Sequence, residues 1–229
     1  MMEYLVTFGS VVLINIVLSG DNAVVIALAS RNLPDKQRKQ AIFWGSALAV
    51  VLRIVLVVVA TFLLQIPFLR LIGGILLVYI GIHLLASGDD EMEVAGNSNL
   101  GSAIKTILVA DLIMSLDNVL AIAGVAKGEW VVLIFGLALS IPLVVFGASI
   151  LSKLMNRFPI IAYIGAALIA YTAGEMMVTD SKVGHYLEPY NVIIKVALVV
   201  GVVGVGFLLS RRNSKKKAAT GPEKESESE

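Results

Sequence analysis

The 229-residue sequence has no cysteine and only two histidines, His83 and His185. That excludes disulfides, thiolate metal sites, iron–sulfur clusters and cysteine nucleophiles. Charge is scarce as well: Asp, Glu, Lys and Arg make up 15% of the chain, where soluble domains carry about 25%. The formal net charge is +1, so no bulk electrostatic attraction to nucleic acid is expected. No Gly-rich phosphate-binding loop is present, and no polar stretch is long enough to form a nucleotide-binding domain.

What fills the chain instead is apolar: 58% of residues, with a mean hydropathy of +0.89. Apolar stretches of about 18–25 residues suffice to cross a hydrocarbon core as helices. Their continuity, rather than alternation, favours helices over a β-barrel. The expected fold is all-α membrane, with seven transmembrane helices over about 5–29, 41–64, 67–87, 103–126, 130–151, 159–178 and 192–209. Ala27-Leu28-Ala29 resembles a signal-peptide cleavage site. No Lys or Arg precedes the first apolar run, which is too long and contains Asp21, so it reads as a span.

Basic residues in short loops set the orientation. Arg31, Lys36, Arg38 and Lys39 follow span 1, Lys153 and Arg157 flank the loop after span 5, and Arg211 to Lys217 follow span 7. The expectation is a multi-pass membrane protein, amino terminus outside and carboxyl terminus inside. Loop 88–102 carries Asp89, Asp90, Glu91 and Glu93 and no basic residue, and reads as an acidic cytoplasmic connector. Residues 210–229, with their Lys run and Glu-Ser repeats, read as a disordered cytoplasmic tail.

The halves resemble each other. Ser19-Gly20-Asp21-Asn22-Ala23-Val24-Val25-Ile26-Ala27 aligns with Ser115-Leu116-Asp117-Asn118-Val119-Leu120-Ala121-Ile122-Ala123, and the same offset pairs Asn15 with Asp111. Gly45-Ser46-Ala47-Leu48 matches Gly136-Leu137-Ala138-Leu139, and Gly73, Tyr79 and His83 match Gly165, Tyr171 and Glu175. Residues 1–87 and 103–178 therefore read as two three-helix repeats. An odd number of spans per repeat inverts the second relative to the first, a plan common among secondary transporters. Residues 179–209 supply a loop and one extra helix.

An inverted repeat brings Asp21 and Asp117 together near the midplane. A central aspartate costs about 2.5–3.5 kcal/mol on insertion scales, so these acids are expected to face each other, a cavity or a cation. Asp, Asn and Ser are hard oxygen donors, suited to Mg²⁺, Ca²⁺ or Mn²⁺. The candidate metal ligands are Asp21, Asn22, Asp117 and Asn118, with Asp111, Asn15 and Glu175 as further donors or proton acceptors. Gly20 before Asp21 marks a place where the helix can unwind; Leu116 holds the equivalent place. His83 reads as a solvated or capping residue, with a ligand or relay role as the alternative. Arg53, in mid-span 2 with Val144 as its counterpart, is expected to pair with a buried carboxylate as counter-ion or gate. Lys195 reads as a snorkelling lysine, and Trp44 and Trp130 as interface anchors.

Gly20-Asp21-Asn22-Ala23-Val24-Val25-Ile26-Ala27, Arg31-Asn32-Leu33-Pro34, Trp44-Gly45 and Ser115-Leu116-Asp117-Asn118 together resemble the TerC family of membrane proteins, its YjbE-like bacterial branch most closely. The resemblance covers roughly residues 5–178. It implies a seven-helix fold related to LysE-type exporters and cation–proton exchangers, and metal-ion efflux with Mn²⁺ the favoured substrate. The family's motif residues correspond to Asp21, Asn22, Asp117 and Asn118. It also implies a place in the bacterial inner (plasma) membrane and a context in supplying metal to exported enzymes.

The leading expectation is a non-enzymatic secondary exporter of a divalent cation, coupled to proton antiport through the surplus acids Asp111 and Glu175. Its partners are the metal ion and the lipid bilayer, with a homo-oligomer or the protein-export machinery as further candidates. The alternatives are a LysE-like exporter of amino acids or other small organic cations, and a metal-delivery adaptor that does not transport. An intramembrane aspartyl protease is disfavoured, because Leu18-Ser19-Gly20-Asp21 lacks the first glycine of a Gly-x-Gly-Asp motif.

Overall fold

The computed structural model describes residues 7–13, 19–63, 66–86, 98–126 and 130–220. The side chains at 60–62, 98–99, 117, 120–126 and 213–220 lie outside the described set, as do Asn15 and most of the acidic loop. Among the described residues the regular structure is entirely helical. The elements are α1 (7–13), α2 (Gly20–Ser30), α3 (Asp35–Leu63), α4 (Leu69–Ala86), α5 (Ser98–Ala126), α6 (Trp130–Arg157), α7 (Ile160–Val178), α8 (Gly184–Leu187), a 3₁₀ turn (Glu188–Tyr190) and α9 (Asn191–Thr220). Among the described residues five segments are long and apolar enough to cross a membrane: Asp35–Val59, Leu69–Ala86, Trp130–Arg157, Ile160–Val178 and Gly184–Arg212.

Several helices extend beyond the expected spans, whereas α4 (Leu69–Ala86) falls just inside 67–87. The α3 helix begins at Asp35, α5 at Ser98, α6 runs to Arg157 and α9 continues to Thr220. Hydropathy sees only the apolar slab, while backbone hydrogen bonding carries a helix on into polar surroundings. Residues 210–220, expected as disordered tail, are thus the end of a helix. Local chemistry sets several boundaries. Pro34 precedes α3, where the lost N–H is one a helix start leaves unpaired anyway, and Asp35 complements the helix dipole. At the end of α7, Thr179 Oγ1 donates to the Glu175 carbonyl at 2.8 Å.

The outward surfaces are apolar. Val51, Val55, Phe135, Phe146, Ile164 and Val200 are all exposed. In water such a surface is an aggregation liability; against lipid it is the expected exterior. Trp44 and Trp130 are also exposed. Inside, one cluster joins α2, α4, α5 and α7 through Val25, Leu77, Ile113 and Ile169, among others.

Helix pairing follows a regular scheme. The α3 helix packs chiefly on α5 and also on α6; α2 packs on α6 and α5; α4 packs on α7 and α9. Two glycines show why close approach is possible. A Cβ at Gly45 of α3 would lie 2.8 Å from Ile107 of α5, and one at Gly136 of α6 would lie 2.5 Å from Val11 of α1. Gly45 and Gly136 are register equivalents in the two halves, and so are Val11 and Ile107. The same glycine-to-β-branched contact is made twice.

Asp180 ties one end of the bundle. Its Oδ2 accepts the Leu71 N–H of α4 at 3.2 Å, and its Oδ1 accepts those of Lys182 (2.9 Å) and Val183 (3.3 Å). Arg70 donates to the neighbouring Thr179 carbonyl at 2.6 Å. Burial alone would raise the carboxyl pKa, but the backbone donors outweigh it and hold the group below its ordinary range. The folded pKa is the lower one, so this stabilisation is complete above the unfolded value of about 3.9 and is lost as pH falls through the folded pKa. Asp180→Ala is expected to cost about 2 kcal/mol at neutral pH, because charge-assisted bonds are removed and buried donors lose their acceptor. Denaturation of the wild type and the variant at pH 7 and below pH 3 checks this; a gap that does not narrow in acid contradicts it.

Candidate functional site

A charged cluster lies where α2, α3, α5 and α6 meet. Arg53, in the middle of α3, is 4% exposed and Asp111 of α5 is 3% exposed. They form a two-point ion pair: Nη2 to Oδ1 at 2.5 Å and Nε to Oδ2 at 3.3 Å. Arg53 Nε also donates to Ser115 Oγ at 3.1 Å, and Nη1 donates to Ser19 Oγ at 2.9 Å. Ser115 Oγ in turn donates to Asp111 Oδ2 at 3.3 Å. The planar guanidinium fork suits this arrangement, which spends its donors on three acceptors at once. Desolvating such a pair costs several kcal/mol per ion, so it is weak evidence for stability and stronger evidence for a specific role.

The two serines give the cluster its meaning. Ser19 and Ser115 occupy equivalent positions in the two halves, and one guanidinium bridges them. A small cavity of about 10 Å³ adjoins it, lined by Asn22 and Ile26 of α2, Ser46, Ala49, Val50 and Arg53 of α3, Asp111 of α5, and Ser140, Ile141 and Val144 of α6. That volume holds about one water-sized particle. Three α3–α6 pairs on its wall are register equivalents: Ala49 with Ser140, Val50 with Ile141, and Arg53 with Val144. Ser46 Oγ, on a residue 2% exposed, has no hydrogen-bond partner among the described residues.

The motif residues are placed as follows. Asp21 stands in the first turn of α2, which starts at Gly20; its Oδ1 accepts the Asn22 N–H at 2.8 Å, and it interacts electrostatically with Arg53 and Asp111. Asn22 is buried on the cavity wall. Asn118 is half-buried in α5. Asn15 and the Asp117 side chain lie outside the described residues. The structure therefore places Asn22 and Asp111 on one cavity wall, with Asp21 in electrostatic reach of the Arg53–Asp111 pair. Among the described residues no group of three or more Asp, Glu or His side chains is poised around a metal ion.

Glu175 is not in this cluster. It is 48% exposed and paired with Lys195 of α9, whose ammonium also sits 5.1 Å from the centre of the Tyr171 ring. Lys195, expected to snorkel, is thus held by an ion pair. His83 is exposed and stacks on Tyr79, ring centres 6.0 Å apart. Matching Glu175 with His83 gave their depth along a helix but not the direction in which either points. Arg53 does pair with a buried carboxylate, as expected, and the structure identifies it as Asp111. Ser46 and Ser140 were missed. The available signal was spacing, since Ser46 and Arg53 are seven residues apart and share a helix face.

The sequence profile of the integral membrane protein TerC family matches residues 1–218. The chain belongs to the TerC family. It is 44% identical over 191 residues to the membrane protein YjbE of Bacillus subtilis, covering 83% of this chain and 88% of that one. It is 26% identical to the membrane protein YceF of the same organism, covering 91% and 82%. It is 22% identical to the inner membrane protein YgdQ of Escherichia coli K12, covering 90% and 93%. No solved structure matches. The TerC assignment and the apolar helices make this an integral membrane protein.

Proposed function

We propose that this TerC chain is a secondary transporter that exports a divalent cation, Mn²⁺ in the first instance, by alternating access around Asp21–Asn22 and Asp117–Asn118. The observation that carries the reading is the meeting of equivalent residues from both halves at one buried polar centre. Ser19 and Ser115 share Arg53, and equivalent positions of α3 and α6 line the same cavity. The duplicated glycine contacts support seven spans built as two inverted three-helix repeats plus α9. In this scheme the amino terminus is outside and the carboxyl terminus inside.

The donor chemistry supports a hard cation. Carboxylate, amide and hydroxyl oxygens surround the centre, and the chain has no thiolate. Coupling is by proton antiport, since nothing in the sequence offers an ATP site. The test is Mn²⁺ flux through the purified protein in liposomes. Saturable flux accelerated by an opposing pH gradient is the expected result. Absence of flux, with Mn²⁺ still bound, would favour a metal-delivery adaptor; flux indifferent to the pH gradient would remove the antiport step.

A further inference from the structure

We propose that the Arg53 guanidinium is a tethered cation that occupies the polar centre when no ion is bound, and that an entering divalent cation displaces it from Asp111. The inference rests on the transporter reading above and concerns how that site behaves when empty.

Four observations carry it. First, Arg53 has no basic counterpart: its equivalent on α6 is Val144, so one positive charge serves both halves. Second, it makes direct contacts with the polar groups of the centre itself, Asp111, Ser115 and Ser19. Third, the cavity left beside it is about 10 Å³. An ion with six or so oxygen ligands does not fit there while the guanidinium stays. Fourth, Ser46 lies on the same face of α3 and lines the same cavity, its buried Oγ having no hydrogen-bond partner among the described residues. It offers an acceptor to a guanidinium that has let go of Asp111.

The consequence is a metal-free carrier that can change sides, with Arg53 offsetting Asp111 and the antiported proton carried on another acid of the centre. Unpaired charge in a low-dielectric centre is costly, and a bound Mn²⁺ or Arg53 offsets it in turn. Net export requires this metal-free form to return; exchange of Mn²⁺ for Mn²⁺ does not. Removing the tethered cation should therefore separate the two modes. It should also tighten Mn²⁺ binding, because the site no longer spends most of its time occupied by its own side chain.

The experiment compares wild type, Arg53→Gln and Arg53→Lys in liposomes, measuring net Mn²⁺ efflux, Mn²⁺–Mn²⁺ exchange and Mn²⁺ affinity by calorimetry. Arg53→Gln is expected to bind Mn²⁺ about tenfold more tightly, to lose most net efflux and to keep exchange. Arg53→Lys keeps the charge but not the planar fork, and is expected to keep net efflux with a smaller gain in affinity. If Arg53→Gln does not fold, the lysine variant carries the test alone. Net efflux and exchange that fall together in Arg53→Lys, or an affinity that does not rise, would overturn the inference and leave the transporter reading standing. A wild type without Mn²⁺ flux would overturn both.

Discussion

Asp111→Asn is expected to destabilise the folded protein by about 3–5 kcal/mol, the usual consequence of leaving one member of a buried ion pair uncompensated. Arg53 is 4% exposed and cannot give up its proton, so its charge stays in place once the carboxylate has gone. Ser19 and Ser115 would remain as neutral acceptors only. The reverse variant, Arg53→Gln, should cost less, because an abandoned carboxyl can be neutralised by a proton. Replacing both partners by apolar residues of similar volume, as in Arg53→Met with Asp111→Leu, should recover most of the loss. Denaturation of the purified proteins in one detergent, together with yield, measures the series. An Asp111→Asn protein as stable as wild type would show that the pair is not the closed contact described here.

The second large effect concerns transport. Asp21→Asn keeps an acceptor oxygen for the Asn22 N–H and the same side-chain volume, so the start of α2 should be little disturbed. It removes a negative charge from the centre, where Asp21 interacts with Arg53 and Asp111. Even outer-shell partners of a metal are typically worth 10–100-fold, and a direct anionic ligand is worth more. Mn²⁺ flux should therefore fall by at least about a hundredfold, with the protein still correctly inserted. Asp117→Asn, at the equivalent position of the second half, should behave alike. Both variants transporting normally would end the metal-transport reading.

The sequence made some of this legible for physical reasons. Long apolar runs announce spans because a bilayer demands length, yet they conceal where a helix stops: α3 starts at Asp35 and α9 reaches Thr220 because hydrogen bonding outlasts hydrophobicity. The match of Gly45 with Gly136 was readable because close packing constrains both alike, each beneath a β-branched residue, Ile107 and Val11. A lone arginine in a span implied a buried acid, since nothing else offsets the charge. Choosing Asp111 over Asp21 required the direction of each side chain, which periodicity along one helix does not supply. The same gap explains Glu175: its depth suggested the centre, while its side chain points to Lys195 on α9. Ser46 and Ser140 were passed over because serine is common in membrane helices, and only their place on the cavity wall distinguishes them.

The claim beneath all of this is that the two Asp–Asn pairs serve one ion. Anomalous scattering from crystals soaked in Mn²⁺ tests it most directly, since the signal locates the ion and identifies the element. The account predicts a single peak between Asp21–Asn22 and Asp117–Asn118, with oxygens at about 2.0–2.6 Å, the range that hard divalent cations adopt, and with Arg53 withdrawn from Asp111. A peak elsewhere, or none beside fully occupied Arg53–Asp111 contacts at saturating Mn²⁺, would contradict it.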